Sequence, residues 1–147
     1  MRGYFAIGIE NPKKAINIGT LWRSAFLFGA AYIFTIGGEK YRRQSGDTTN
    51  SCNQLPYFHY QDFDHFYKSI PHNCQLVGVE MLSKAREIKH FVHPERSIYL
   101  LGSESLGLDE KSIDKCDLII KLPGQFSLNV SVAGSIILYD RINKIVS

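Results

Sequence analysis

Cysteine is scarce in this sequence of 147 residues, and the few cysteines form no recognisable pattern. Cys52, Cys74 and Cys116 are an odd number at wide spacings, without a C-x-x-C pair. This excludes a disulfide framework and a cysteine-based zinc site, and it indicates a reducing cytoplasm. His90 and His93 have no neighbouring cysteine or acidic cluster, so we interpret both as surface histidines and expect no metal ion.

Long hydrophobic runs are also missing. No apolar stretch approaches the ~18 residues that a membrane-spanning helix needs, so we expect no membrane association. Residues 1–8 run directly into a strand pattern and lack the apolar region and cleavage site of a signal peptide. Repeats, low-complexity tracts and linkers are absent too, which predicts one domain over residues 1–147.

Two common nucleotide-binding motifs are absent as well. Residues 102–107 have the pattern G-x-x-x-x-G, but the Lys-Ser/Thr pair of a P-loop does not follow. The same stretch is not the G-x-G-x-x-G turn of a dinucleotide-binding fold. The apolar content of 44% suffices for a hydrophobic core, and the net charge of +3 is compatible with nucleic acid without requiring it.

Strand and helix patterns alternate through most of the chain. Period-two or β-branched apolar runs predict strands at residues 4–9, 31–36, 57–60, 75–81, 97–101 and 117–121. Helical spacing of apolar residues predicts helices at residues 15–29, 62–70, 85–91, 109–115 and 130–145. This alternation predicts an α/β fold with a mostly parallel sheet flanked by helices.

Three loops that follow predicted strands carry the candidate site residues. They cover residues 10–18, 102–108 and 122–129, and such loops gather at the carboxyl edge of a parallel sheet. In the last loop, Ser127 is a good N-cap for the final helix, whose N-terminus suits a carboxylate or phosphate, although an ordinary capped helix would have the same sequence. Glu104 in the second loop is either a ligand for a hydroxyl or cation or a solvated carboxylate.

Arg23 lies in an otherwise apolar helical segment. A guanidinium there needs a polar partner, which is either a phosphate of the substrate or a structural salt bridge, unless it lies on an exposed face. Asn17 precedes it by six residues, or ~240° around a helix, so the two side chains do not share a face. We therefore expect Asn17 to be a cap or a loop residue.

Basic residues cluster after the first two predicted strands. Lys13, Lys40, Arg42 and Arg43, together with Lys14 and the interleaved Tyr41, suit phosphate contacts and stacking on single-stranded RNA. A solvated charged face explains the same residues equally simply.

Three segments together resemble a known family. Residues 17–25 with Phe28-Gly29, residues 101–108, and residues 122–124 with 127–134 and Leu138-Tyr139 look like the three successive motifs of SpoU/TrmH-type RNA ribose 2′-O-methyltransferases of the SPOUT superfamily. The motifs occur in the family's order and span nearly the whole chain.

The resemblance implies a C-terminal trefoil knot, a homodimer and S-adenosylmethionine as cofactor, with no metal. It places Leu101, Gly102, Leu122, Ser127 and Leu128 around the cofactor. It places Asn17, Arg23, Glu104, Ser127 and Asn129 on the family's functional positions. The stretch from Pro123 to Ser127 is shorter than in many relatives, and the chain resembles minimal members without an added RNA-binding domain, some of which modify the tRNA wobble nucleotide.

The expected function is methyl transfer to a ribose 2′-hydroxyl of tRNA or rRNA. Arg23 would hold the adjacent phosphate and stabilise developing alkoxide charge. Asn129 and Ser127 would fix the hydroxyl and the cofactor, and Glu104 would orient Asn129 or Arg23. Two alternatives stay open, namely a SPOUT enzyme that methylates an RNA base and an RNA-binding module without enzymatic activity.

Overall fold

A parallel sheet organises this computed structural model, which describes residues 3–42, 54–124 and 128–145. The strands are β1 (Tyr4–Glu10), β2 (Ile33–Ile36), β3 (Tyr57–Tyr60), β4 (Gln75–Val79), β5 (Arg86–Glu87), β6 (Arg96–Gly102) and β7 (Leu118–Lys121). Their order in the sheet is β3-β2-β1-β6-β4-β7-β5, and every pairing is parallel. The predicted α/β fold with a mostly parallel sheet is therefore confirmed.

Helices cover both faces of the sheet. In the described part of the chain they are α1 (Ala15–Phe28), α2 (Phe63–Ser69), α3 (Glu110–Lys115) and α4 (Val130–Lys144). Phe5, Ile7 and Ile9 of β1 point to the core that α1 and α4 cover, whereas Ala6 points to the core containing α2. This alternation is the period of two that a strand buried on both faces requires.

Helices α1 and α4 lie directly against each other. A Cβ atom on Gly134 of α4 would lie 2.5 Å from Leu21 Cδ1 of α1, so glycine permits the close approach. The hydroxyl groups of Ser24 and Ser135 form a hydrogen bond of 2.7 Å across the same contact. None of the helices in the described residues combines the length and apolar character that a membrane crossing needs.

The strand order reverses at β1 and β6. From β1 the chain proceeds to β2 and β3 on one side, and later strands add on the other side through β6. Glu10 at the end of β1 is in register with Gly102 at the end of β6. The loops after these strands therefore begin side by side at the carboxyl edge, where parallel α/β sheets bind their ligands.

The helix predicted at residues 85–91 is wrong. Arg86 and Glu87 form the edge strand β5, in register with Ile120 and Lys121 of β7, and Ile88–His90 form one turn of 3₁₀ helix. A helix this short is only marginally stable on its own, so pairing with the free edge of β7 is favoured over the helix.

The trefoil knot stays a prediction.

The interpretation of His93 as a surface residue is also wrong, because its side chain is fully buried beside α4. Arg141 donates a hydrogen bond to the Tyr99 hydroxyl, whose own hydrogen is then directed at His93 Nδ1, 2.7 Å away. His93 Nε2 is left as the donor to Asp140 Oδ2, also at 2.7 Å. Because a carboxylate only accepts, Nε2 carries the proton of the neutral ring, and Nδ1 accepts from the Tyr99 hydroxyl.

We expect this histidine to make the fold less stable in mild acid. Burial lowers the pKa of His93 below its ordinary value of 6.5, although the Asp140 hydrogen bond opposes the shift. Below pH 6.5 this histidine is protonated in the unfolded chain but stays neutral in the folded chain. The free energy of unfolding therefore falls with falling pH, by at most about 1.4 kcal/mol per pH unit. Urea unfolding between pH 8 and 5 should show a steeper loss for the wild type than for His93→Gln; parallel curves would contradict the assignment.

Candidate active site

Three polar side chains from different parts of the sequence meet at the carboxyl edge of the sheet. Asn129 Nδ2 donates to Glu104 Oε1 at 2.8 Å and to Asn17 Oδ1 at 3.0 Å. Asn17 Nδ2 donates to the same Glu104 oxygen at 3.4 Å. We call these residues the Asn-Glu-Asn cluster. The three loops predicted to gather at this edge thus contribute to one arrangement of side chains.

Asn17 reaches the cluster from within a helix. Lys14 is the N-cap of α1, so Asn17 lies in the first helical turn, and its side chain is buried. The expectation of a cap or loop residue is therefore wrong. α1 begins at Ala15, as the helical spacing predicts, so Asn17 lies within the helix and its side chain is turned towards the sheet edge.

Asn129 is the N-cap of α4, where we had expected Ser127. Its side-chain oxygen accepts hydrogen bonds from the backbone N–H groups of Ser131 and Val132. Because α4 begins at Val130, the capping position falls on Asn129, and Ser127 lies outside the described residues. The cap uses the carbonyl oxygen of the Asn129 amide, so its two N–H groups are directed to Glu104 and Asn17.

Arg23 is not part of the Asn-Glu-Asn cluster. Its side chain is exposed, and it makes no hydrogen bond or ion pair within the described residues. It lies on an exposed stripe of α1 between Ile16 and Leu27, which are 71% and 67% exposed. The sequence left open a phosphate, a structural salt bridge or an exposed helix face for this arginine, and the isolated chain has it on an exposed helix face.

A cavity of about 180 Å³ opens beside Glu104. Leu101, Gly102, Leu122 and Leu128 line it, and these are the predicted cofactor residues other than Ser127. A Cβ atom on Gly102 would lie 2.2 Å from the carbonyl carbon of residue 107, so only glycine fits this turn. Tight backbone turns and apolar side chains, with a carboxylate at the rim, fit a flat nucleoside with polar edges.

The basic residues after β1 and β2 surround a second cavity, of about 400 Å³. Lys13, Lys14, Lys40 and Arg42 line it, and Arg43 lies outside the described residues. A third cavity, of about 290 Å³, is lined by Lys13 and Lys14 as well as by Asn17 and Glu104. The basic surface is therefore continuous with the Asn-Glu-Asn cluster.

Two carboxylates that the sequence analysis missed hold the loop that carries Glu104. Glu80 Oε2 accepts a hydrogen bond from the backbone N–H of Leu108 at 2.7 Å. Glu10, which is buried, accepts from the backbone N–H of Asp109 and from the Ser112 hydroxyl. Burial raises the pKa of Glu10, and these two hydrogen bonds oppose the rise. Glu10 and Glu80 each lie at the end of a predicted strand, and this position was the signal available in the sequence.

Within residues 3–42, 54–124 and 128–145, no group of three or more His, Cys, Asp or Glu residues could hold a metal ion.

Comparison with known proteins connects this geometry to a family. The mouse tRNA (guanosine(18)-2'-O)-methyltransferase TARBP1 is 28% identical over an alignment of 136 residues, and the alignment covers 86% of this chain but 8% of that protein. The SpoU methyltransferase AviRb from Streptomyces viridochromogenes, in complex with AdoMet, superimposes with a TM-score of 0.83 at 22% identity, covering 97% of this chain and 58% of that chain.

A solved structure that gives insights into the 2-OH methylation of C/U34 on tRNA has nearly the same length as this chain. The match covers 99% of this chain and 98% of that chain, with a TM-score of 0.84 at 18% identity. At these identities the solved structures establish the fold. The model of the SpoU rRNA Methylase family matches residues 4–139, almost the whole sequence, and this protein therefore belongs to that family.

Proposed function

We propose that this protein transfers a methyl group from S-adenosylmethionine to a ribose 2′-hydroxyl of tRNA or rRNA. The observation that carries the proposal is the Asn-Glu-Asn cluster at the rim of the glycine-lined cavity. When bound, S-adenosylmethionine supplies an electrophilic methyl group on a sulfonium, and no metal is required. The chain has to align the hydroxyl oxygen and accept its proton.

The hydrogen bonds within the cluster leave one strong acceptor open. Both N–H groups of Asn129 are used inside the cluster, and its oxygen caps α4. Glu104 Oε1 accepts from both asparagines, whereas Glu104 Oε2 accepts no hydrogen bond within the described residues. We infer that Asn17 and Asn129 hold the carboxylate in place. Glu104 Oε2 then accepts a hydrogen bond from the target hydroxyl. It takes up the hydroxyl proton as the methyl group is transferred to the hydroxyl oxygen.

A homodimer would explain the exposed position of Arg23. Exposed apolar residues lie on one face of α1, eleven residues or about three turns apart, and on one face of α4, at spacings of four and three. They are Ile16 and Leu27 on α1 and Val132, Ile136 and Tyr139 on α4. The rings of Phe28 and Tyr139 touch, so the two faces form one surface with Arg23 within it. We propose that a second copy covers this surface and that Arg23 enters the active site of the partner subunit.

A homodimer predicts a molecular mass of about twice 16.7 kDa in solution. Ile136→Glu should lower the mass towards the monomer, because a charge at the centre of an apolar interface loses its solvation. Light scattering at micromolar concentration measures both, with Lys68→Glu on α2 as the control at an exposed site outside the surface. A wild-type monomer would rule out the homodimer.

RNA as substrate is supported by the basic cavity and by the tRNA named for two of the similar proteins. Lys13 and Lys14 lie where the basic cavity approaches Asn17 and Glu104. A phosphate backbone bound there would bring an adjacent ribose to the cluster.

Cys74 and Cys116 are free thiols, and we propose the cytoplasm as the place of action.

The double variant Lys40→Ala/Arg42→Ala should weaken RNA binding and reduce its dependence on salt. If each residue contacts one phosphate, the slope of log affinity against log salt should fall by roughly 1.4 to 1.8. Filter binding of bulk tRNA between 50 and 300 mM salt measures the slope, and Lys68→Ala/Lys111→Ala is a matched control outside the basic cavity. An unchanged slope would remove both residues from the RNA interface.

The proposed activity is tested with methyl-tritiated S-adenosylmethionine and separate pools of undermethylated tRNA and rRNA. Labelled RNA is digested to nucleosides, and mass spectrometry locates the methyl group on ribose or base. Label on ribose supports the proposal, and the pool that is labelled identifies the RNA class. Label on a base favours the alternative SPOUT enzyme. RNA binding without any incorporation favours a non-enzymatic module.

A further inference from the structure

Glu80 follows β4 directly and packs against the loop after β6. Its Oε2 atom accepts the hydrogen bond from the backbone N–H of Leu108. Gly107 has a φ of +68°, and a Cβ atom there would lie 2.8 Å from the same oxygen. The carboxylate therefore lies directly over the backbone of a tight glycine turn and holds that turn through one oxygen.

The second oxygen of this carboxylate can still accept hydrogen bonds. Glu80 Oε1 accepts no hydrogen bond within the described residues, and Glu80 lines the cavity of about 180 Å³ together with Gly102 and Leu122. A carboxylate that keeps an open oxygen in a ligand-sized cavity is suited to accept hydrogen bonds from a ligand.

We propose that Glu80 Oε1 accepts hydrogen bonds from the ribose hydroxyls of the bound S-adenosylmethionine. This inference rests on the proposed function. The Asn-Glu-Asn cluster takes Asn17 from α1, Glu104 from the loop after β6 and Asn129 from the start of α4, which packs against α1. β4 lies on the other side of β6 from β1. With the methyl group facing the cluster, the rest of the cofactor extends towards β4, where Glu80 lies.

The chemistry of the cofactor favours its ribose as the partner of Glu80. The vicinal hydroxyls offer two neutral O–H donors, and an acidic side chain binds ribose hydroxyls in this way in dinucleotide-binding folds. The amino-acid end carries a carboxylate beside its ammonium group, and Glu80 would repel that carboxylate. Lys121, which lines the same cavity, is the better match for that end.

Glu80→Gln is the variant that isolates this contact. Glutamine keeps a carbonyl oxygen for the Leu108 N–H, so the turn stays held, but the remaining group becomes an N–H donor. Isothermal titration calorimetry with S-adenosylhomocysteine and with its 2′-deoxy and 3′-deoxy analogues measures binding without turnover. Glu110→Gln, on the exposed surface of α3, is the matched control, and thermal melting checks that both variants are folded.

We expect the wild type to bind S-adenosylhomocysteine about tenfold or more tightly than at least one deoxy analogue, since hydrogen bonds to charged groups are strong. Glu80→Gln should bind S-adenosylhomocysteine about tenfold more weakly and should no longer distinguish it from the analogues. Equal affinity of Glu80→Gln and wild type for S-adenosylhomocysteine would overturn the inference and leave the proposed function intact.

5′-Methylthioadenosine separates the ribose from the amino-acid end, because it keeps the hydroxyls and lacks the amino acid. The loss caused by Glu80→Gln should persist with this ligand. If the loss disappears, Glu80 contacts the ammonium group and the inference is wrong. If the wild type binds neither S-adenosylmethionine nor S-adenosylhomocysteine, the proposed function fails and the inference fails with it.

Discussion

Arg23→Ala is expected to lower methyl transfer by about a hundred- to a thousandfold, which is the usual effect of losing one preorganised donor to developing negative charge. Binding of S-adenosylhomocysteine should be unchanged, because Arg23 does not line the cofactor cavity. Arg23→Lys should restore only part of the activity, since an ammonium group does not reproduce the planar fork of a guanidinium. Tritium incorporation and calorimetry on the same preparations measure the two effects.

The control for Arg23→Ala is Lys68→Ala, which removes an exposed cation from α2 on the opposite face of the sheet. Lys68→Ala should keep full activity. An Arg23→Ala protein with near-normal turnover, or one whose activity falls only in proportion to its cofactor affinity, would show that the arginine is structural.

Mixed dimers test whether Arg23 acts in the partner's site. Arg23→Ala and Glu104→Ala subunits are unfolded, mixed and refolded together. If the arginine acts across the interface, one site of each mixed dimer carries both substitutions and the other carries neither. About half of randomly paired dimers are mixed, so about a quarter of wild-type activity should return. If the arginine acts within its own subunit, every site carries one substitution and no activity returns.

Glu104→Gln is expected to lower the rate of methyl transfer by about a hundred- to ten-thousandfold, the range for loss of a general base. The glutamine oxygen can still accept from Asn17 and Asn129, so the cluster and the start of α4 should stay in place. What the substitution removes is the open oxygen proposed to accept the hydroxyl proton. The KM for RNA should change little, whereas kcat should carry the loss.

Two comparison variants make this result specific. Glu110→Gln removes an exposed carboxylate from α3 and should leave the rate unchanged. Asn129→Asp keeps an oxygen for the N-cap of α4 but removes both donors to the cluster and adds a charge beside Glu104, so it should be folded and inactive. If Glu104→Gln turns over at nearly the wild-type rate, the carboxylate only positions the asparagines, and another group accepts the proton.

The local pattern of the sequence was sufficient to predict most strands and helices. β1 and β6 are continuous apolar runs and α1 has a helical apolar stripe, so short-range preferences and the required burial agree at these elements. Where short-range preferences and the required burial disagree, the prediction of secondary structure failed. Residues 85–91 have helical spacing, but the free edge of β7 pairs with Arg86 and Glu87, and a contact with a strand more than 30 residues away has no local signal.

The sequence by itself determined the alternation of strands and helices, the family motifs and the identity of the polar residues at the carboxyl edge. Only the tertiary structure decided which of those residues meet. Asn17 joins Glu104 and Asn129 across separations of 87 and 112 residues, and Arg23, six residues from Asn17, is turned to the exposed face. The physical reason is that the order of the strands and the start of each helix set these distances. Both follow from the burial of side chains throughout the chain and are not encoded in any one motif.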